Sequence, residues 1–435
     1  MIERYETTKM RLLWREELKF ELWLKTELAV LWARTKRGEL PVEQVERIAH
    51  DAKIDLVRIT EIEGITHHDL LAFIEAVREH LEAQDRGELH RKMTSYDTEE
   101  IPTSIRIRDS IDVLVATLDE LSAAILKAAD AHRRTLMIGR THGQHAEPIT
   151  FGLKLLGWYD ILSRDRNRLL AAQQVAAVGK LAGAVGVYGE LTPEIEAEVC
   201  AAMGLTPARH VTQVLHRDRI AQVLTSLAIL GGNIEHIASE FRILGQTELC
   251  EVREPFGKGQ KGSSRMPHKK NTIVTERLCG MSRLLRAYSG AALEDIATWS
   301  ERDIAQSSVE RVILPDSFHL THYMLTKLLW VVSGMEVFPE RMRRNLESTQ
   351  GCIYSGRVKD LLLAWGMEPE KTYGLVQQCA FNAAETGETF HDLISRSLGF
   401  TVLCTTDKRR QEFEQCFDPW HDLQYLDVIF ARFGL

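Results

Sequence analysis

Apolar residues recur at spacings of three and four over long stretches of this chain, and that spacing predicts helices rather than strands. Ile220, Leu224, Leu227, Leu230, Ile234, Ile237, Phe241 and Leu244 form one continuous stripe, the pattern of a helix with one face against a core. Ile111, Leu114, Leu118, Leu121 and Ile125 repeat it. Ser110, just before them, is a natural N-cap, because its hydroxyl can satisfy an orphan backbone N–H. Strand-like alternation over several residues is hard to find. Pro148, Pro193, Pro207, Pro255, Pro267 and Pro315 mark off long proline-free intervals, and proline breaks helix interiors through its missing donor and ring clash. The expected fold is all-α, with long helices packed as a bundle. The expected divisions are an N-terminal helical region, 1–110, a central long-helix domain, 111–365, and a C-terminal helical region, 366–435. The last opens at the turn Met367-Glu368-Pro369-Glu370. The stripes read as core, and stripes this long also suit packing between copies.

Length and composition narrow the class. A chain of 435 residues exceeds the usual single core, so two or three domains are expected. The apolar and charged fractions are those of an ordinary globular protein. A formal net charge of −8 argues against nucleic acid as a partner, since that binding relies on a basic surface. An anionic substrate then needs a local cationic pocket. The seven cysteines are scattered with no C-x-x-C spacing, which suits reduced thiols in a cytoplasmic protein better than a disulfide framework or zinc site. The N-terminal MIERYETTKMRLLW lacks a signal-peptide core, and no stretch is long and apolar enough to span a bilayer.

Three segments concentrate chemistry. Residues 257–271, GKGQKGSSRMPHKKN, combine glycines that free the backbone with cations, as expected of a loop that closes over an anion. A phosphate-binding P-loop fails in detail: Gly257-x4-Gly262 is followed by Ser263-Ser264 rather than Lys-Ser/Thr, and no strand is expected before it. In Gly139-Arg140-Thr141-His142-Gly143-Gln144-His145-Ala146-Glu147-Pro148, two histidines three apart make a metal half-site only on a helix, and no further ligands have sensible spacing. Acid–base work is the alternative, for which histidine suits neutral pH. Arg302 and Arg311, in Trp299–Arg311, present forked donors suited to phosphate or carboxylate, unless Glu301 and Glu310 neutralise them. Thr66-His67-His68-Asp69 reads by itself as a polar helix end.

Gly262-Ser263-Ser264-Arg265-Met266-Pro267-His268-Lys269-Lys270-Asn271 resembles the G-S-S-x-M-P-x-K-x-N signature of the fumarase/aspartase superfamily, whose members release fumarate by cleaving a C–N or C–O bond. Thr141–Pro148 is similar to the T-H-G-x-H-A-E-P motif of its adenylosuccinate lyase branch, and Glu301–Arg311 to E-R-D-I-x-x-S-S-x-E-R. The likeness runs from Arg4-Tyr5 to the terminal Asp427–Leu435. It implies Ser263 as the base, assisted by Lys269, and His142 as the acid, oriented by Glu276, with His68 binding substrate or assisting proton transfer. Thr94, Ser95, Lys269 and Asn271 would hold the succinyl carboxylates. Arg4, Tyr5, Arg302, Ser307 and Arg311 would hold the nucleotide, with His67, His68, Asp69, Gln213, Ser264 and Met266 as further substrate contacts. It also implies a homotetramer with sites shared between chains, a small succinyl-nucleotide substrate, and no cofactor or metal.

Departures from the family pattern are His67 and Lys270, each where arginine is frequent, Thr272 where proline is frequent, and above all the segment 90–101. Where the family reads H-x-G-x-T-S-x-D-x-x-D-T, this chain keeps Thr94, Ser95 and Asp97 but has Lys92 for the glycine and Glu100-Ile101 for the final Asp-Thr. Two alternatives therefore stand beside the main expectation: a paralogous lyase releasing fumarate from another N-succinyl compound, and a non-catalytic helical scaffold.

Overall fold

A computed structural model describes residues 1–435. Its architecture is set by five long helices, Ser95–Ala131, Phe151–Ala176, Asp218–Leu244, Ile273–Glu294 and Ala305–Gly334, of 37, 26, 27, 22 and 30 residues. Every member of the two apolar stripes is buried within one chain; Leu227, Ile234 and Phe241 on one helix and Ile111, Leu118 and Ile125 on the other are fully inaccessible. The stripes are core.

Two compact units divide the chain, each made of three segments: 1–120, 162–235 and 277–327 in the first, and 121–161, 236–276 and 328–435 in the second. In the first, the helices Glu16–Thr35, Leu56–Thr66 and Asp69–Glu79 bury Phe20, Trp23 and Phe73 as an aromatic trio with centroids 5.3–5.7 Å apart. In the second, Phe390, Phe400 and Phe413 centre a core of short C-terminal helices. No helix is long and apolar enough to cross a membrane, and all seven cysteines are free.

Three local expectations are corrected. Ser110 caps nothing: its helix begins fifteen positions earlier, at Ser95, and the Ser110 hydroxyl is buried mid-helix, accepting the Trp14 indole N–H at 3.0 Å. Pro315 does not end a helix but lies inside Ala305–Gly334, as Pro102 lies inside Ser95–Ala131. Buried Leu314, Phe318 and Leu320 supply packing that offsets the roughly 3 kcal/mol an interior proline costs. Strands also exist, as three two-stranded sheets. One two-residue strand, Val252–Arg253, does precede the glycine-rich loop, yet it pairs only with Glu336–Val337, and no Lys-Ser/Thr follows the glycines.

Lys92, standing where the family has glycine, adopts φ +71°. That left-handed conformation penalises any Cβ, and the ammonium recovers little from Glu190 and Glu39, 3.3 and 3.6 Å away at the surface. Lys92→Gly is therefore expected to stabilise the chain by about 0.5–1 kcal/mol, read as a higher denaturant midpoint. A lower midpoint would mean that the ion pairs outweigh the strain.

Candidate active site

His142 stands at the tip of a β-hairpin. The antiparallel strands β1, Leu136–Thr141, and β2, Gln144–Thr150, pair Thr141 with Gln144, leaving a two-residue turn, His142-Gly143, with φ +55° and +76°. Positive φ at both positions defines the tight turn that matches strand twist. The helical geometry on which a His142/His145 metal half-site depends is absent, and no three His, Cys, Asp or Glu side chains converge in a metal-binding group. His142 is exposed. His145 sits opposite Arg140, its Nδ1 buried without a partner; burial first, then Arg140, lowers its pKa. Arg140 reaches the buried Glu251 carboxylate at 2.7 Å, and Asn345 donates to the same oxygen at 2.8 Å, anchoring the hairpin just before its turn.

The signature loop belongs to the same unit and is tied down at its ends. A Cβ on Gly262 would lie 2.1 Å from the Lys269 carbonyl oxygen, so only glycine lets the loop fold back on itself there. The Ser263 hydroxyl accepts the Met266 backbone N–H at 3.0 Å. Ser263 is half-buried, whereas Ser264, Met266, His268 and Lys269 are exposed. At the far end, buried Glu254 accepts the backbone N–H groups of Val274 and Thr275 at 3.2 and 2.7 Å, a carboxylate satisfying the N-terminus of helix Ile273–Glu294. Met266, Lys269, Asn271 and Glu276 line an open cleft of about 1180 Å³, with Arg242 and Arg253 adding positive charge. Ser263 and His142 are not in its wall. Within one chain His142 makes no hydrogen bond or ion pair with Ser263, Lys269 or Glu276, so the expected Glu276–His142 contact is not formed there. Glu276 meets only the Thr272 hydroxyl, at 3.5 Å.

The first unit carries the other expected residues. Asp97 supplies one half of a capping box, its Oδ2 accepting the Thr94 N–H at 2.9 Å, while the Asp97 N–H donates to the Thr94 backbone carbonyl at 2.9 Å. This places Thr94 and Ser95 at the start of a 37-residue helix, where free N–H groups favour carboxylates. Asp97 also accepts from Ala182 N–H at 3.1 Å and pairs with Lys180 Nζ at 2.8 Å, both side chains fully buried. Lys180 donates on to the Gln213 carbonyl at 2.6 Å, and Arg302 donates to the Gln213 side chain at 2.7 Å while stacking 4.1 Å over the Tyr96 ring. One buried lysine thus links the Thr94-Ser95 turn to Gln213 and Arg302. Sequence reasoning missed it. Its signal is that Lys180 is the sole charge between Val175 and Gly189, as expected of a buried, paired cation.

Ser307 and Arg311 lie one turn apart in the first turns of helix Ala305–Gly334, on one face. With Asp69, Tyr96, Glu99 and Lys19 they line a cavity of about 260 Å³, near the lower end of small-molecule sites. Arg311 Nη2 donates to Asp69 Oδ2 at 2.7 Å, and Lys19 lies 3.7 Å from the same oxygen. Burial works against the Asp69 charge, but Arg311 and then Lys19 outweigh it and hold the carboxyl below its usual range. His67, at φ +53°, closes one helix, and His68 caps the next, its Nδ1 accepting Leu71 N–H at 3.4 Å. Arg4 is exposed, and Tyr5 packs edge-on against Tyr323 at 5.4 Å, beside a different cavity with Arg277 and Met1. Neither lines the Ser307–Arg311 cavity. The altered segment is explained in part: Glu100 pairs with buried Arg217, which also holds Glu310 at 3.1 Å.

Comparison with known proteins agrees with these motifs. The sequence pattern of a lyase family matches residues 5–285. An adenylosuccinate lyase of Aquifex aeolicus is 41% identical, covering 99% of this chain and 98% of its own, and one of Synechocystis is 42% identical with both chains fully covered. Among solved structures, a fumarate lyase from Mesorhizobium superposes with TM-score 0.89 at 23% identity over 99% of each chain. A 3-carboxy-cis,cis-muconate lactonizing enzyme from Pseudomonas putida gives 0.88 at 26%, covering 98% of this chain and 96% of its own. The chain shares its overall fold with both solved structures.

Proposed function

The chain belongs to the lyase family, in its adenylosuccinate lyase branch, and from that premise we propose that it eliminates fumarate from adenylosuccinate to give AMP. The succinyl-carboxamide imidazole ribotide of purine synthesis is a second substrate of the same chemistry. The observation that carries the nucleotide reading is the Ser307–Arg311 face opening into one cavity with Asp69 and Tyr96. A helix N-terminus with a forked cation suits a phosphate.

The reaction removes a weakly acidic proton beside a carboxylate, and the negative charge that develops needs donors already in place. Ser263 takes the proton; a free serine is a weak base and needs cationic help, which Lys269 supplies. His142 protonates the departing nitrogen, oriented by Glu276. Thr94, Ser95, Lys269 and Asn271 hold the carboxylates. The exposed hairpin tip and a Glu276 carboxylate that meets only Thr272 support a site completed by other copies in a homotetramer; the enzyme works in the cytoplasm and needs no cofactor. Purified protein mixed with adenylosuccinate should lose the N-succinyl purine absorbance and release fumarate and AMP in equal amounts. Fumarate from a different N-succinyl amine alone would favour the paralogue reading, which the presence of Tyr96, Glu99 and Glu100 in the cavity wall keeps in view. Inertness across such a panel would favour the scaffold.

Arg311→Ala is expected to raise KM for the phosphorylated substrate by roughly 10–100-fold, the worth of a charge-assisted hydrogen bond or two, and to leave KM for the dephosphorylated nucleoside nearly unchanged. Equal effects on both would remove the phosphate role.

A further inference from the structure

Among the carboxylates lining the Ser307–Arg311 cavity, Asp69, Glu100 and Glu310 are ion-paired and Glu16 is exposed, which leaves Glu99 as the half-buried one that conflicts with an anionic ligand. It comes from the altered segment, on the first turns of helix Ser95–Ala131, and is half-buried in that wall with neither hydrogen bond nor ion pair on its carboxyl. The neighbouring charges are largely committed elsewhere. From helix Glu16–Thr35, Lys19 pairs with Asp69 and lies 4.6 Å over the rings of Phe20 and Trp23, while Glu16 is exposed. From the Asp69 helix, Asp69 itself takes Arg311. Along its own helix, Glu100 is held by Arg217, Arg106 donates to the Leu13 carbonyl at 2.9 Å, and the Tyr96 hydroxyl accepts from Gln306 at 3.5 Å. Glu310 pairs with Arg217.

Beside Glu99, then, two cations face two carboxylates, and a phosphate dianion placed on the Arg311 donors that Asp69 leaves open adds a third anionic group. Like charges lining one partly desolvated cavity repel strongly. A proton on Glu99 removes it, and a neutral carboxyl also gains a donor O–H. Resting on the phosphate reading above, we propose that Glu99 is a substrate-binding residue that meets the phosphate end as a neutral acid, its O–H donating to a phosphate oxygen, so that binding takes up a proton from solvent. Burial first, and then the Asp69 carboxylate, already push the empty-site Glu99 up to about 7, so the proton costs little to add near neutral pH. Glu310 is likewise pushed up to about 7 by burial, against the pull of Arg217, and burial lowers Lys19; the Glu99 variants below separate its titration from theirs.

The test is AMP binding by calorimetry, which needs no turnover. At pH 7, wild-type protein measured in two buffers of different ionisation enthalpy should take up about half a proton per AMP. Between pH 7 and 9, where the AMP phosphate stays a dianion, affinity should fall by about tenfold or more. Glu99→Gln, which keeps shape and donor without titrating, should bind AMP with no pH slope and more tightly than wild type at pH 9. Glu99→Leu should also lose the slope but bind more weakly at pH 7. A wild type with no proton uptake, or a slope that persists in Glu99→Gln, overturns the assignment and leaves the lyase reading intact. Failure of the wild type to bind AMP or turn over adenylosuccinate overturns the lyase reading and takes this assignment with it.

Discussion

Replacing Ser263 by alanine should lower kcat by a factor on the order of 10⁴, the upper range of what a positioned proton acceptor contributes, while KM changes little. The side chain is small and half-buried, and its hydroxyl accepts only the Met266 N–H, in a turn that Gly262 and Lys269 close independently. The loop has no other obvious need for it. Loss of turnover without loss of binding is the mark of an interaction made only in the transition state. Ser264→Ala, one residue along and exposed, serves as the control and should cost far less. A Ser263→Ala enzyme within tenfold of wild type would make another group the base.

The largest effect on stability is expected at Lys180. Its ammonium and the Asp97 carboxylate are both fully buried, 2.8 Å apart, and removing one member of such a pair strands the other charge at a cost of about 3–5 kcal/mol. Lys180→Met keeps the apolar volume and should show that loss in denaturant unfolding. Because Asp97 also holds the Thr94 N–H and Lys180 holds the Gln213 carbonyl, KM should rise as the carboxylate-binding turn loosens. Pairing Lys180→Met with Asp97→Asn should recover part of the stability, since a neutral amide retains an acceptor for Ala182 N–H. A single variant that loses under about 1 kcal/mol would show that the pair contributes little beyond its packing.

The parts of the molecule that were legible beforehand are those written in local pattern. The 220–244 and 111–125 stripes became buried faces because a period near 3.6 leaves a helix one way to hide them. What sequence misjudged was decided by distant contacts. Ser110 looked like a cap because serine before an apolar stripe usually is one; Trp14, far away along the chain, instead uses its hydroxyl inside a longer helix. Pro315 looked like a break, but the packing of Leu314 and Phe318 overrides a local preference. The His142-Gly143 turn was readable in principle, since a residue that tolerates positive φ followed by glycine signals a tight hairpin, yet its flanking strands do not alternate between buried and exposed positions. Asp97 was visible through the family motif. Its partner Lys180, and the placing of Glu99 in one cavity wall with Asp69 and Arg311, depend on which segments meet and on burial, which no spacing encodes.

Co-expression of Ser263→Ala and His142→Ala chains with separable tags, followed by isolation of mixed oligomers, tests most directly whether these two side chains act on one substrate from different copies. Each variant alone should be inactive with adenylosuccinate. Mixed oligomers should regain part of the wild-type turnover, because some of their sites then draw an intact serine and an intact histidine from different chains. Mixed oligomers that form but stay as inactive as either parent would contradict a shared site.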